Sequence, residues 1–328
     1  MVYNLTVAPR YFGLVSLSAL VAGVVFPALF GQDVEIKSRV RDTAATAPAA
    51  YRVDSALVLI PVHVTTALGA SVDSLERENF RLFENDQEQD VSVFAHDDAP
   101  ISIGLLFDAS GSMKNKREKV AEAAAAFLKT ANKDDEFFLV AFNDRAKLAL
   151  PFTSDTQEVY SRIVSIKPFG KTSLLDAVSL GIRHMKHARR ARKALVILSD
   201  GGDNWSRHGR REVEYALLES DVQVYAMGIF DSDLATRHPQ EERDGPALLD
   251  NLALQTGGRL YSVSDIATLP AISERISREL RSQYLLGYRP RHPPQPGKYR
   301  RVQVKLSLPP EMPPLRAYYR QGYYDTEQ

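Results

Sequence analysis

The 328-residue chain contains no cysteine. This absence excludes disulfide bonds, a thiol nucleophile, zinc–thiolate sites and a cysteine lipid anchor within the sequence. An excess of either charge is missing too, because 41 Lys and Arg residues balance 41 Asp and Glu residues. A globally basic nucleic-acid-binding protein and an acidic tail protein are therefore disfavoured. No internal repeat is visible in the sequence.

The composition is that of a folded protein, with 44% hydrophobic and 25% charged residues. These fractions exclude a disordered or collagen-like chain. At roughly 150 residues per domain, the length predicts about two domains.

One long apolar run stands near the N-terminus. Residues 11–30 carry no charge, Arg10 precedes them, and Asp33 and Glu35 follow. This order is typical of a signal peptide, but the run is also long enough to span a bilayer as a retained anchor, and a buried core helix is a third reading. We expect residues 1–31 to be a signal peptide or membrane anchor. The protein is then exported and is periplasmic, at the cell surface or secreted.

The remaining chain divides into segments of different character. Residues 32–50 are mixed in composition and are expected to form a linker. Residues 51–98 contain short alternating runs that predict a small β domain. Residues 99–268 alternate continuous apolar runs with helical segments, which predicts an α/β, Rossmann-like, doubly wound and mostly parallel sheet. Residues 269–328 are expected to form a C-terminal helix and a β extension.

Polar side chains follow the buried runs of the α/β segment. Asp108, Ser110 and Ser112 lie on one loop after the first run, and Asp200 ends the third. Thr172 lies between them, before a predicted helix. Ligands of open parallel sheets bind at the carboxyl ends of the strands, so we expect these residues to converge. Oxygen donors without His or Cys favour Mg²⁺ or Mn²⁺ over zinc or copper.

A site with these donors predicts binding through a bridging ion. Because only Asp108 and Asp200 carry negative charge, a divalent ion there would keep much of its positive charge. It would therefore attract an Asp or Glu side chain of a protein partner. Asp176 and Asp203 also lie nearby in the sequence. We expect Asp176 to form a hydrogen bond within a helix and Asp203 to form a turn, so neither is an expected metal ligand.

The same residues resemble the metal-ion-dependent adhesion site of the von Willebrand factor type A (VWA) domain. The pattern is Asp108-x-Ser110-x-Ser112, then Thr172, then Asp200. The resemblance implies a Rossmann-like fold and ligand binding through a divalent ion, and it does not imply catalysis.

More narrowly, residues 51–325 resemble the bacterial VWFA-related proteins abundant in acidobacteria. The stretches that carry this resemblance are 80–84, 174–177, 193–204, 256–259 and 280–288. Lys171 departs from the family pattern, in which a second glycine often stands. We expect Lys171 to pair with Asp200 or Asp203, or to shape ligand choice.

An enzyme is the alternative function. A metal-dependent hydrolase or phosphoryl-transfer enzyme would use the same strand-end site, with Asp108 as nucleophile, but Ser110 stands where a second carboxylate is expected. The segment 170–173 resembles the end of a phosphate-binding loop, although Ser165 replaces its first glycine. A serine hydrolase lacks support because no G-x-S-x-G motif occurs.

Two loops are candidate specificity elements beside the site, Trp205–Arg210 and Asp231–Gly245. Trp205 is the single tryptophan of the chain, and it is either an exposed anchor for a partner or packed. The tail from Ala271 is rich in Arg and Tyr. We expect it to pack as a β extension, and the alternatives are a surface for a partner or an envelope polymer and binding of nucleic acid. The sequence leaves the oligomeric state open.

Overall fold

A computed structural model describes four stretches of the chain, which are residues 57–200, 202–230, 239–293 and 295–325. Of residues 239–243 it describes only the backbone. The signal peptide or anchor predicted for 1–31 and the linker predicted for 32–50 lie outside these stretches. Over the described residues, no helix has the length and apolar character needed to cross a membrane.

The strands of the described chain divide among three sheets. Their bounds are β1 (Val58–Thr66), β2 (Phe80–Glu84), β3 (Gln87–Gln89), β4 (Val91–Ala95), β5 (Ile101–Asp108), β6 (Glu136–Phe142), β7 (Ala146–Thr153), β8 (Arg192–Ser199), β9 (Gln223–Ile229), β10 (Leu260–Val263), β11 (Gln283–Tyr288), β12 (Tyr299–Leu306), β13 (Leu315–Tyr319) and β14 (Gly322–Tyr324).

The α-helices follow the strands in an alternating order. They are α1 (Arg117–Lys129), α2 (Thr156–Ser165), α3 (Leu174–Met185), α4 (Arg210–Glu219), α5 (Pro239–Gln255) and α6 (Leu269–Arg281). Short 3-10 helices cover Arg77–Asn79, Gly111–Lys116 and Ile266–Thr268.

The central sheet has six strands in the order β10-β9-β8-β5-β6-β7. All neighbours are parallel except β7, which runs antiparallel to β6. Strands β5 and β8 are buried along nearly their whole length. Their sequences are continuously apolar because helices cover both faces of the sheet. The α/β, mostly parallel fold predicted from the sequence is confirmed.

Two apolar layers enclose this sheet. One face packs against α1, α2 and α6, through side chains such as Phe127, Ile163 and Ile276. The other face packs against α3, α4 and α5, through side chains such as Val178 and Leu249. Helix α6 therefore belongs to the core of the α/β layer, although the sequence grouped it with the C-terminal extension.

The other two sheets are built from both ends of the described chain. Their orders are β13-β1-β11-β4 and β14-β12-β2-β3, so strands of the 51–98 segment pair with strands that follow residue 282. The sequence division treated these segments as separate elements. A few short strands are only marginally stable by themselves. The pairing of strands from the two ends encloses one apolar core, which includes Leu82, Tyr284 and Tyr288.

These two four-stranded sheets form the β unit of the protein, and a buried charge cluster lies within it. Arg300 donates to Oε1 of Glu84 at 2.7 Å and to Oδ2 of Asp325 at 2.6 Å. The hydroxyls of Tyr288 and Tyr323 donate to the other oxygen of Glu84. All five side chains are buried. Buried charges need partners of this kind, and the cluster ties the last residues of the described chain to β2.

Candidate metal site

Asp108 ends the central strand β5 at the carboxyl edge of the sheet, and it is fully buried. Its Oδ1 accepts the backbone N–H of Ser110 at 2.8 Å, and its Oδ2 accepts the hydroxyl of Ser199 at 2.6 Å. The N–H of Ala109 donates to the carbonyl of Phe142 on β6 at 2.7 Å. These bonds fix the carboxylate and the start of the loop in one orientation.

The charge of Asp108 is destabilised by its surroundings. Burial, followed by the neighbouring charge of Asp200, raises the pKa of Asp108 to about 6, and hydrogen bonds from Ser199 and Ser110 oppose this rise. Asp200 directly follows Ser199, the last residue of β8, whose hydroxyl donates to Asp108, so the two carboxylates stand at the ends of neighbouring strands. A cation between them would relieve the repulsion of their charges.

The two serines of the loop present adjacent hydroxyls. The Oγ atoms of Ser110 and Ser112 are 2.9 Å apart and hydrogen-bonded to each other. Ser110 has extended backbone, and a 3-10 helix begins at Gly111. In an octahedral shell with bonds of about 2.1 Å, neighbouring oxygens are about 3 Å apart. The spacing of the two hydroxyls therefore fits two adjacent ligands of one ion.

The loop that carries Thr172 lies directly beside the serine loop. The N–H of Phe169 donates to the carbonyl of Ala109 at 2.8 Å, and the N–H of Gly111 donates to the carbonyl of Gly170 at 3.1 Å. These two bonds bring Thr172, which is buried, to the same edge of the sheet as Asp108.

Gly170 allows this loop to turn. Its φ is +79°, in the left-handed region, and a Cβ there would lie 2.5 Å from Oδ1 of Asp144. The same oxygen accepts the N–H of Lys171 at 2.7 Å. A side chain at position 170 would therefore strain the backbone and displace the carboxylate that holds it.

A third loop supports Thr172 from the other side. The N–H groups of Asn204 and Trp205 both donate to the carbonyl of Thr172 at 3.1 Å, and Oδ1 of Asn204 accepts the N–H of Thr172 at 3.0 Å. Thr172 is therefore held between the serine loop and residues 203–206. This arrangement exposes the Trp205 side chain.

Asp176 and Asp203 act as hydrogen-bond acceptors, as the sequence predicted. Oδ1 of Asp176 accepts the N–H groups of Arg207 and His208 at 2.9 and 3.0 Å. Oδ1 of Asp203 accepts the N–H of Leu175 and the hydroxyl of Ser206. Both carboxylates organise the loop after β8. The other predicted loop, Asp231–Gly245, is different: residues 239–245 form the first turns of α5, and 231–238 lie outside the described residues.

The ionic partner of Asp200 is a correction to the sequence analysis. Lys171, expected to pair with Asp200 or Asp203 or to shape ligand choice, has an exposed side chain, and its backbone N–H bonds to Asp144. Instead, Nζ of Lys116 lies 3.0 Å from Oδ2 of Asp200. Lys116 is the last residue of the 3-10 helix Gly111–Lys116, which begins directly after Ser110. The tight turn brings its ammonium group to Asp200.

The five predicted residues fit a hard divalent cation by their chemistry. They offer two carboxylates and three hydroxyls, all oxygen donors, from loops at one edge of the sheet. In the described part of the chain, no group of three or more His, Asp and Glu residues is arranged to hold a metal. A metal at this edge would therefore need the hydroxyls as well as the acids.

A comparison with known proteins finds a family match over the region that contains the candidate site. Residues 103–202 match the family model described as the von Willebrand factor type A domain. An uncharacterised protein of Borreliella burgdorferi is 27% identical over 191 residues, which are 52% of this chain and 56% of the relative. The chain thus spans little more than half the length of that relative.

Solved structures are similar to parts of this chain at low sequence identity. Proximal thread matrix protein 1 from the mussel byssus, with a zinc-occupied MIDAS motif, is 19% identical, with a TM-score of 0.48 over 60% of this chain and 50% of that chain. A von Willebrand factor type A structure from Catenulispora acidiphila is 14% identical, with a TM-score of 0.47 over 75% of this chain and 72% of that chain. The match to the family model indicates a von Willebrand factor type A domain over residues 103–202 of this chain.

Proposed function

We propose that this protein is an exported binding protein that recognises a protein ligand through a divalent cation, Mg²⁺ or Mn²⁺. The ligands of the cation would be Asp108, Ser110, Ser112, Thr172 and Asp200. The observation that carries the proposal is the arrangement of the acids and the serines at the carboxyl edge of the sheet. Asp108 ends β5, Asp200 directly follows the neighbouring strand β8, and the hydroxyls of Ser110 and Ser112 are hydrogen-bonded to each other.

Each residue has a distinct task in this proposal. Asp108 and Asp200 supply the charge, and the hydroxyls of Ser110, Ser112 and Thr172 supply neutral oxygens. When bound, the cation supplies a positive centre for a carboxylate of the partner. The protein keeps this centre strongly positive because it offers only two acids, and it fixes Asp108 through Ser199 and the N–H of Ser110 before any ligand arrives.

The family supports the same kind of function. VWA domains mediate protein–protein interactions, and some bind a divalent metal at the adhesion site. The order of charges around residues 11–30 supports export, either with a cleaved signal peptide or with a retained anchor. The narrower similarity to acidobacterial VWFA-related proteins stays a prediction.

An enzyme that uses the same strand-end site is the second candidate. Asp108 would be its nucleophile, but Ser110 stands where a second carboxylate is expected. We therefore expect Asp108 to orient and charge the site rather than to react.

Binding to an immobilised carboxylate polymer tests the proposal. The full-length protein is passed over poly-aspartate in Mn²⁺ or in EDTA, and the same sample is assayed for phosphate-ester and nucleotide hydrolysis. We expect retention that requires Mn²⁺, is lost in Asp108→Asn and persists in Asp90→Asn, an exposed carboxylate of the β unit. Equal retention in EDTA would contradict the proposal. Turnover that disappears in Asp108→Asn would establish the enzyme instead.

A further inference from the structure

Two strongly exposed aromatic side chains flank the candidate metal site. Phe169 is 59% exposed and Trp205 is 56% exposed, more than any other aromatic side chain of the described residues. Burial of a large apolar side chain stabilises a protein, so exposure at both positions forgoes this gain. Clustered exposed aromatics are typical of binding surfaces.

Both aromatic residues are bonded through their backbones to the loops of the site. The N–H of Phe169 donates to the carbonyl of Ala109, the residue after Asp108. The N–H of Trp205 donates to the carbonyl of Thr172. The backbone of Phe169 is therefore held by the serine loop, and the backbone of Trp205 is held by Thr172.

The backbone beneath the two rings is held in place on both sides. Asp144 accepts the N–H of Lys171 and packs against Gly170 on the Phe169 side. Asn204 accepts the N–H of Thr172 on the Trp205 side. A surface fixed in this way loses little conformational entropy when a partner covers it.

The charge of this rim favours an acidic partner. Lys114, Lys171 and Arg207 are exposed on the three loops. One acidic side chain, Asp144, is also exposed beside them, and it accepts the backbone N–H of Lys171. A bound divalent cation would add to the positive charge.

We propose that Phe169 and Trp205 are the two apolar anchors of the ligand-binding surface. The partner is a protein segment that presents an Asp or Glu side chain flanked by large apolar side chains. The acidic group approaches the metal site, and the apolar neighbours cover the two rings. This inference rests on the proposed function and specifies the chemistry of its ligand.

Selection from a random-peptide display library tests the inference on the full-length protein with Mn²⁺. We expect the enriched peptides to contain Asp or Glu beside large apolar residues. Their affinity should fall by about tenfold or more in Phe169→Ala and in Trp205→Ala. It should be unchanged in Tyr299→Ala, an exposed tyrosine of β12. Trp205 is the only tryptophan, so its emission should shift to the blue when such a peptide binds.

The outcomes separate this inference from the proposed function. Calorimetry with Mn²⁺ alone is expected to give the same affinity in Phe169→Ala and Trp205→Ala as in the wild type, because neither side chain is a metal ligand. The inference would be overturned if the enriched peptides lacked apolar flanks, or if both variants bound them with unchanged affinity. Neither outcome would affect the proposed metal binding. No enrichment by a protein that binds Mn²⁺ would overturn the inference too. If the wild-type protein does not bind Mn²⁺, the proposed function is overturned, and so is the inference that rests on it.

Discussion

Nζ of Lys116 lies 3.0 Å from Oδ2 of Asp200, and their side chains are only 11% and 7% exposed. Asp200 also raises the pKa of Asp108 through its charge. A protein cation therefore already stands at one of the two carboxylates of the candidate metal site. A divalent cation that binds there must compete with this ammonium for Asp200.

Substitution of Lys116 should reveal this competition. In Lys116→Met, we expect the affinity for Mn²⁺ to increase by about tenfold, which corresponds to about 1.4 kcal/mol. Without metal, the free energy of unfolding should fall by about 3 kcal/mol, because Asp200 loses its partner in a poorly solvated position. Calorimetry and urea unfolding measure the two effects.

The control for this prediction is Lys119→Met. Lys119 pairs with Glu122 on the exposed face of α1, and its loss should change both quantities little. If Lys116→Met binds Mn²⁺ as the wild type does, Lys116 does not compete with the metal.

Removal of one serine hydroxyl should weaken metal binding without unfolding the protein. Ser112 is exposed, and its Oγ bonds to Ser110. We expect Ser112→Ala to reduce Mn²⁺ affinity by about tenfold or more, with a stability change within about 0.5 kcal/mol. Ser165→Ala removes another exposed hydroxyl, at the end of α2, and serves as the control. Equal affinities in the two variants would exclude Ser112 from the site.

Two glycines with nearly the same φ angle allow backbone strain to be measured separately from the geometry of the site. Gly170 has φ +79° and Gly297 has φ +78°, but only a Cβ at 170 would collide with Asp144, while nothing lies within 4 Å at 297. We expect Gly297→Ala to cost about 1–2 kcal/mol from left-handed strain alone. Gly170→Ala should cost more, and it should also weaken Mn²⁺ binding because it displaces the segment before Thr172. Unchanged metal affinity in Gly170→Ala would separate that segment from the site.

The buried His63 predicts a pH dependence of stability. Burial, together with the charges of Arg259 and Arg275, lowers the pKa of His63 to about 3, below its ordinary value of 6.5. Between these values the unfolded chain binds a proton that the folded chain does not. The stability due to neutral His63 is therefore complete above about pH 6.5 and is lost as the pH falls towards 3, by up to about 1.4 kcal/mol per pH unit.

A variant isolates this contribution. His63→Gln keeps a polar group near Ser71, whose Oγ lies 3.0 Å from Nε2 of His63. The free energy of unfolding, measured with urea between pH 6 and 4, should fall less steeply in His63→Gln than in the wild type. Identical slopes would show that His63 does not titrate differently in the two states.

Arg300 and Arg301 are a matched pair for the β unit. Arg300 is buried between Glu84 and Asp325, so Arg300→Met leaves two buried carboxylates unpaired and should cost about 3–5 kcal/mol. Arg301 pairs with Asp86 at the surface, and Arg301→Met should cost less than about 1 kcal/mol. Urea unfolding of both variants measures the difference, and similar losses would contradict the role given to the buried cluster.

The sequence predicted the central sheet well because its strands are buried on both faces. The runs that became β5 and β8 are continuously apolar, a pattern that surface strands do not share. Helix α5 escaped prediction because it contains Gly245 and Pro246, which ordinarily indicate a break. The pairing of β1 with β11 also escaped, since alternation shows that a strand exists but not which distant strand it joins.

The sequence predicted the oxygen donors of the candidate site, but it did not predict the ion pair that Asp200 forms. Asp108, Ser110 and Ser112 form a local pattern, so the sequence alone displays it. The ion pair of Lys116 with Asp200 joins residues 84 positions apart and depends on a 3-10 turn. Such long-range pairs are set by the fold, and residue order does not record them.

Electron paramagnetic resonance of Mn²⁺ tests the central claim most directly, because the sharp signal of the free ion disappears when the ion binds. Titration of the full-length protein should show one bound ion, none in Asp108→Asn and one in Asp90→Asn. A wild-type titration in which the free signal keeps its full intensity would contradict a metal site at the edge of this sheet. Equal binding by wild type and Asp108→Asn would place the ion elsewhere.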